Sequence, residues 1–276
     1  MSRFIATKEH RRFCEFANAV RKDRTIGLCY GSAGVGKTLS AHRYSGWDKA
    51  HPMFSDWYGS KVQFREESGI SANAALARSR TLFYTPHVQS NPRTVRSELD
   101  EILGRTHLCI EQHFIKQGEP LDRSGATIRR PKADLIIVDE AERLATQSIE
   151  VLRDRYDREG IGLILIGMPG LEKQFSRYPQ FYSRVGFAHA YQPLGNDELE
   201  FVLARHWKQL GLTLDTEDFT DHQAIAAIQR ITRGNFRLID RLFKQVKRVL
   251  KINELSTITE DVIEAARSTL VIGAPE

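Results

Sequence analysis

Gly31-Ser-Ala-Gly-Val-Gly-Lys-Thr38 is the stretch of sequence that decides the fold. It matches the pattern G-x-x-x-x-G-K-S/T at every fixed position. A short apolar run at residues 24–30 precedes it, and residues 37–43 are expected to open a helix. In such a loop the glycines let the backbone wrap a phosphate chain, so that successive N–H groups and the helix N-terminus face the anion. Strand, loop and helix in this order predict a nucleoside triphosphate site.

Each position of this phosphate loop has an expected contact with ATP. Lys37 would reach the β- and γ-phosphates, and the hydroxyl of Thr38 would ligate Mg²⁺. The other positions would cradle the phosphates with their backbone: Gly31, Ser32, Ala33, Gly34, Val35 and Gly36.

A second motif, Leu135-Ile-Ile-Val-Asp-Glu140, ends a strongly apolar run with two carboxylates. A buried strand would deliver Asp139 at its carboxyl end, beside the phosphate loop, where it can hold the Mg²⁺ shell. Glu140 can then polarise the attacking water. Such a strand is a weak signal alone, but after a phosphate loop it predicts hydrolysis of ATP.

The remaining sequence predicts an α/β core followed by an all-helical lid. Strand-like runs alternate with helices, which favours a five-stranded parallel sheet covered on both faces. After Pro193 no strand signal remains, and four amphipathic helices are expected at 196–210, 222–232, 235–252 and 259–270. We therefore expect a nucleotide-binding core at 1–193, with an N-terminal helix and an insert at about 44–80, and a helical lid at 194–276.

Composition excludes several classes of protein. The 276 residues contain no apolar run approaching the roughly 18–20 residues of a membrane span. The charged N-terminus is not a secretory signal, and the three cysteines have no metal-ligand spacing, so we expect a cytoplasmic protein without a membrane partner. The net charge of +5 favours a polyanionic partner, although a solvated basic surface would explain it equally well.

Two arginines are candidates for contacts to the nucleotide from outside the loop. Arg184 precedes the last expected core strand, and Arg237 follows Gly234-Asn-Phe at the start of a lid helix. Negative charge builds on the phosphoryl oxygens in the transition state, and a guanidinium stabilises it there. Because the chain is rich in arginine, both could instead be ordinary surface residues.

These motifs together resemble those of the AAA+ ATPases, and within them the transposition regulators of the MuB, TnsC and TniB type. The resemblance covers residues 5–270, and Asp139-Glu-Ala-Glu-Arg-Leu144 is among its most similar parts. It implies that Arg184 is an arginine finger offered to the nucleotide of a neighbouring subunit. It also implies that Arg237 is the sensor 2 residue, which closes the lid on the γ-phosphate of its own subunit.

The chain departs from this family at two places. Gly167-Met168 stands where a polar sensor 1 residue is common, which implies either slow, switch-like hydrolysis or a sensor supplied from elsewhere. The insert at 44–80 is also longer than usual. Its aromatic and basic residues could contact DNA or a partner, or could pack on their own domain: Trp47, Trp57, Tyr58, Lys61 and Arg65.

The resemblance implies double-stranded DNA and further copies of this chain, in a ring or helical filament, as partners. The DNA-facing positions of the family correspond here to Arg93, Lys116, Arg129, Arg130 and Lys132. Such side chains contact phosphates and do not distinguish sequences. A solvated basic loop remains the alternative.

The sequence thus predicts an ATPase that oligomerises with ATP on DNA. By its resemblance it would mark target DNA, act with a target-selection protein, and recruit or activate a transposase. A helicase loader or replication initiator shares the same motifs. A nucleotide-switched signalling or defence NTPase is the third alternative.

Overall fold

The computed structural model describes residues 4–55, 66–88, 90–118 and 132–270. The chain forms two compact units. The first, here the sheet unit, consists of the described residues within 12–31 and 37–190. The second, here the helical unit, consists of those within 1–11, 32–36 and 191–276.

Five parallel strands form the centre of the sheet unit, in the spatial order β2-β3-β4-β1-β5. They are β1 (Ile26–Tyr30), β2 (Thr81–Tyr84), β3 (Leu135–Val138), β4 (Gly162–Gly167) and β5 (Val185–Ala190). Every residue of β2, β3 and β4 is buried. Because successive side chains point to opposite faces, both faces of these strands are covered. The predicted five-stranded parallel α/β core is confirmed.

Twelve α-helices lie in the described part of the chain. They are α1 (Lys8–Asp23), α2 (Lys37–Ser45), α3 (Trp47–Ser55), α4 (Glu66–Ser79), α5 (Pro92–Lys116), α6 (Thr146–Glu159), α7 (Leu171–Ser176), α8 (Pro179–Tyr182), α9 (Asn196–Gln209), α10 (Phe219–Thr232), α11 (Phe236–Ile252) and α12 (Glu260–Ser268). None of the described helices has the length and apolarity of a membrane span.

The carboxyl edge of the sheet positions both sequence motifs. β1 ends immediately before Gly31, and β3 ends immediately before Asp139. β4 lies between these two strands. In parallel sheets, ligands bind outside the carboxyl ends of the strands.

The stretch at 44–80, expected as an insert, contributes α3 and α4. Their buried side chains, Phe54 and Leu76 among them, form one cluster with Ile110 of α5. The Trp47 ring lies 4.9 Å from the Phe54 ring, so this aromatic packs on its own unit. The other aromatic and basic residues named for this stretch lie outside the described residues: Trp57, Tyr58, Lys61 and Arg65.

The helical unit buries its own core among α9 to α12, centred on Trp207, Ile228, Leu242 and Ile263. Side-chain caps fix where three of these helices begin. Asp218 accepts from the backbone N–H of Asp221, and Asn235 and Thr259 cap α11 and α12 in the same way.

The four lid helices agree with the sequence pattern. The predicted domains, 1–193 and 194–276, stay a prediction, since residues 32–36 group with the helical unit.

Gly27, in the middle of β1, provides a test of the packing between α1 and the sheet. A Cβ at this position would lie 2.6 Å from Val20 Cγ2 and 2.7 Å from Phe16 Cζ. We expect Gly27→Ala to lower the free energy of unfolding by about 1–3 kcal/mol, because an overpacked core must shift. Urea unfolding followed by circular dichroism measures this change.

Gly104→Ala is the matched control. A Cβ at Gly104 of α5 would contact no heavy atom beyond the nearby backbone of its own helix. Removing a glycine from a helix there should raise stability by about 0.5–1 kcal/mol. Equal unfolding midpoints for the two variants would contradict the described packing of α1 on β1.

Candidate functional site

The phosphate loop turns at two glycines. Gly34 has a φ of +83° and Gly36 a φ of +116°. Both values lie in the left-handed region, which residues with a Cβ rarely adopt. Gly36 is a fixed position of the sequence pattern, whereas Gly34 stands at one of its variable positions, and both give the loop a backbone path that is suited to wrapping phosphates, with α2 beginning at Lys37.

Lys37 is buried at the first position of α2, only 8% exposed. Its ammonium donates to the carbonyl of Gly31. Burial lowers the pKa of Lys37, while nearby groups, including Cys29 and Asp139, act in the opposite direction. A desolvated ammonium at the start of a helix is well suited to bind a polyanion.

Thr38 and Asp139 meet through a hydrogen bond. Thr38 Oγ1 donates to Asp139 Oδ2 at 2.7 Å, and Asp139 Oδ1 accepts from the backbone N–H of Glu140. Burial raises the pKa of Asp139, which is 4% exposed, and these hydrogen bonds lower it. A hydroxyl and a carboxylate held together supply hard oxygen donors, which fit Mg²⁺.

Glu140 has a strained backbone. Its φ of 52° and ψ of 43° place it in the left-handed region, at the point where the chain leaves β3 and enters a 3₁₀ turn, Ala141–Arg143. This conformation costs roughly 1–2 kcal/mol for a residue other than glycine. Its side chain is 44% exposed, with one carboxylate oxygen 3.7 Å from the guanidinium of Arg143. Glu140 is thus accessible to a water molecule beside Asp139.

Glu142 is a third carboxylate that the sequence analysis did not select. A Cβ added to Gly167 would collide with its Oε2, so this oxygen lies at the carboxyl end of β4. Burial raises the pKa of Glu142, and the charges of Glu140 and Asp139 raise it further. The signal in the sequence was Gly167 at the end of a buried strand, since a glycine there leaves space for a neighbouring side chain.

In the helical unit, the start of α11 is hydrogen-bonded to the phosphate loop. Asn235 Nδ2 donates to the carbonyl of Ala33 at 2.7 Å, and the backbone N–H of Arg237 donates to the carbonyl of Gly34 at 3.0 Å. A Cβ on Gly34 would lie 2.8 Å from Arg237 Cβ. Arg237 therefore lies next to Gly34 of the loop, and its role as sensor 2 stays a prediction. Asn235 was not predicted from the sequence, where its signal is an asparagine at the start of a helix.

Arg184 lies at the amino end of β5. Its backbone carbonyl accepts from the N–H of Ile26 at 3.1 Å, whereas Lys37 follows the carboxyl end of β1. About 16 Å of strand separates these two edges of a parallel sheet. That distance exceeds the length of an arginine side chain, so Arg184 cannot reach a phosphate held by Lys37 of its own chain.

The Arg184 guanidinium has partners within its own chain. Nε bonds Asp157 Oδ1 at 2.7 Å and Nη2 bonds Asp157 Oδ2 at 3.0 Å, while Nη1 donates to the carbonyl of Gln180. Asp157 belongs to α6 and Gln180 to α8. In the single subunit Arg184 thus joins β5 to α6 through a bidentate ion pair and to α8 through a hydrogen bond.

Two of the residues predicted to contact DNA, Arg93 and Lys116, lie far apart on the same helix. Arg93 lies in the first turn of α5 and Lys116 at its end, so the two are about 35 Å apart along the helix. Lys132, just before β3, is exposed, as are Arg93 and Lys116. Arg129 and Arg130 lie outside the described residues.

Comparison with protein families agrees with this geometry. The family model of the AAA domain matches residues 20–175, so the chain belongs to the AAA domain family. With its phosphate loop and Asp139-Glu140 pair, it is an AAA+ ATPase.

Two curated proteins are similar along most of the chain. A potential ATP-binding protein of Staphylococcus aureus is 41% identical over 273 residues, covering 98% of this chain and 97% of that protein. A Mu-like prophage DNA transposition protein B of Haemophilus influenzae is 26% identical over 251 residues, covering 87% of this chain and 71% of that protein. The resemblance to transposition regulators is therefore confirmed.

Solved structures share the fold. The RuvB Holliday junction branch migration motor of Thermotoga maritima is 17% identical with a TM-score of 0.57, covering 97% of this chain and 70% of that one. The ORC2 protein of Aeropyrum pernix, in its ADP form, is 16% identical with a TM-score of 0.55, covering 97% and 69%.

Asn235→Ala tests whether the loop depends on α11. We expect this variant to bind a fluorescent ATP analogue more weakly, because Ala33 loses its hydrogen bond, and to lose about 1 kcal/mol of stability with the helix cap. Equilibrium titration and urea unfolding measure the two effects.

Asp218→Ala is the matched control for this experiment, because it removes a cap of the same kind from α10. We expect a similar loss of stability with unchanged affinity for the analogue. Equal affinities of the two variants would contradict a role for Asn235 in shaping the loop.

Proposed function

We propose that this ATPase hydrolyses ATP slowly and uses it to control assembly on DNA. The observation that carries the proposal is the cluster of Lys37, Thr38, Asp139 and Glu140 at the carboxyl edge of the sheet. Lys37 would bind the β- and γ-phosphates, and Thr38 and Asp139 would hold Mg²⁺. Once bound, Mg²⁺ would neutralise negative charge on the phosphates.

Glu140 would act as the general base. It accepts a proton from water as the water oxygen attacks the γ-phosphorus. The bond from that phosphorus to the bridging oxygen breaks, which leaves ADP and phosphate. The strained, exposed position of Glu140 beside Asp139 supports this role. Gly167-Met168 supplies no polar side chain after β4, which supports slow turnover unless another element provides such a group.

Arg184 would complete the site of a neighbouring subunit. Its position at the opposite edge from Lys37 supports action in trans, because a cis contact is out of reach. The pair with Asp157 must then open when subunits meet.

Sensor 2 would be Arg237, next to the loop of its own chain. A γ-phosphate bound between two subunits would stabilise a ring or helical filament, and hydrolysis would release it.

DNA and a transposase are the partners that we propose. The similarity to a DNA transposition protein B over 87% of this chain supports both, and the net charge of +5 supports a polyanion. The contacts would be non-specific phosphate contacts from Arg93, Lys116, Arg129, Arg130 and Lys132. The assembly would mark target DNA together with a target-selection protein. A replication or helicase-loading role rests only on likeness of fold.

Arg184→Ala should abolish ATP turnover and leave ATP binding intact, because the finger acts only in the neighbour's transition state. Mixing it with Glu140→Gln should restore turnover that neither variant has alone, since one supplies the intact site and the other the intact finger. Phosphate release and analogue titration measure these outcomes.

Arg153→Ala is the matched control for Arg184→Ala. Arg153 also bonds Asp157, at 3.5 Å, but lies on α6. This variant should keep its turnover. Loss of nucleotide binding in Arg184→Ala, or no recovery on mixing, would argue against a finger in trans.

Electron microscopy with duplex DNA and a slowly hydrolysed ATP analogue tests assembly. We expect regular rings or filaments that require both ligands. A nucleotide-bound monomer that is indifferent to DNA would refute the proposed function.

Charge variants locate the DNA surface. Changing Arg93, Arg129 and Arg130 to Ala should reduce the dependence of log affinity on log salt by about 0.9 for each lost phosphate contact. The control removes as many charges from exposed positions of α11: Arg241, Lys244 and Lys247. A larger reduction of this salt dependence in the control would place the DNA-binding surface on the helical unit.

A further inference from the structure

The carboxyl end of β4 lies at the centre of the nucleotide site but has no side chain of its own. Gly167 pairs in register with Tyr30, the residue before the phosphate loop. On its other side β4 pairs with β3, which ends before Asp139. A group at Gly167 would therefore lie between the phosphates and the carboxylates that act on them.

Glu142 fills this space. The 3₁₀ turn after β3 is anchored by Ala141, which is fully buried, and the next residue projects its carboxylate against Gly167. The negative charge of Glu142 acts to raise the pKa of Lys37, as do the charges of Asp139 and Glu140. Glu142 thus belongs to the same electrostatic cluster as the two residues that the motif predicts.

One oxygen of the Glu142 carboxylate is poorly satisfied, although a hydrogen bond from the residue's own backbone lowers the pKa of this group. Its Oε2 is buried and has no hydrogen-bond partner among the described residues. A buried acceptor without a partner destabilises the fold unless a ligand or water satisfies it. A role as hydrogen-bond acceptor for a ligand or water in the occupied nucleotide site would account for the unpartnered Oε2.

We infer that Glu142 is a positioning residue for the attacking water, in place of a polar side chain at the end of β4. This inference rests on the proposed hydrolysis through Glu140. Water has two O–H groups and must present a lone pair to phosphorus. Glu140 takes the proton from one O–H, and Glu142 Oε2 accepts a hydrogen bond from the other, which directs the lone pair at the γ-phosphate.

Gly167 is the structural counterpart of Glu142. Any side chain there would displace Oε2 and would also lie 2.8 Å from Leu171 Cδ1. The absence of a side chain at Gly167 therefore leaves room for the Glu142 carboxylate. This carboxylate comes from the turn after β3 and occupies the position where a polar side chain of β4 would otherwise lie.

Glu142→Ala and Glu142→Gln test the inference through kcat for ATP and the Kd of a fluorescent ATP analogue. We expect Ala to lower kcat by about tenfold or more with Kd unchanged, because the water loses its second contact. Gln should recover most of the turnover, since its amide oxygen accepts the same hydrogen bond. Glu101→Gln, which neutralises a carboxylate paired with Arg105 on α5, is the control and should behave as the unchanged protein.

A kcat of Glu142→Ala within about twofold of the unchanged protein would overturn the inference, as would a parallel loss of binding. A Gln variant as slow as Ala would overturn the hydrogen-bond role. Glu140→Gln separates the two proposals. If it is inactive while Glu142→Ala is fully active, only this inference fails; if the unchanged protein has no turnover, the proposed hydrolysis fails.

Gly167→Ala provides a second measurement, with thermal unfolding as the check that each variant is folded. We expect it to lower kcat by moving Glu142, so its effect should largely disappear in the Glu142→Ala background. Additive losses in the double variant would contradict the juxtaposition of Gly167 and Glu142.

Discussion

The hydrogen bond from Thr38 Oγ1 to Asp139 Oδ2 joins residues 101 positions apart, at 2.7 Å. Thr38 follows β1 and Asp139 follows β3, and these strands are not neighbours, because β4 lies between them. The bond therefore spans the carboxyl end of β4 and links the segments that follow β1 and β3. This bond positions every residue of the sheet unit that we propose to act on the nucleotide: the two candidate Mg²⁺ ligands that it joins, Lys37 one residue before Thr38, and Glu140 one residue after Asp139.

Local patterns predicted the loop, the Asp139-Glu140 pair and the strands, since each lies within a short, regular stretch of sequence. The helices at 44–80 were not predicted, because Gly46, Pro52 and Gly69 interrupt the periodicity there. Glu142 and Asn235 were missed for a different reason. Their roles arise from partners distant in sequence: Gly167 for the first, and Ala33, 202 positions away, for the second.

Arg184 shows how topology limits what one subunit can do. Sequence motifs identify it as a candidate finger, but only the parallel sheet shows that it and Lys37 lie at opposite edges. The phosphates and the finger of one chain therefore cannot belong to the same site. If Arg184 acts as the proposed finger, the active site must include two subunits, and turnover would then require assembly.

If Arg184 is a finger in trans, as we propose, its bidentate pair with Asp157 also bears on how readily subunits exchange. On meeting a neighbour, the guanidinium would give up a carboxylate and gain phosphate oxygens of similar geometry. The number of charge-assisted hydrogen bonds would then change little between the separate and the joined subunit. A contact formed by such an exchange would release little net free energy, so it could form and break many times without unfolding either protein.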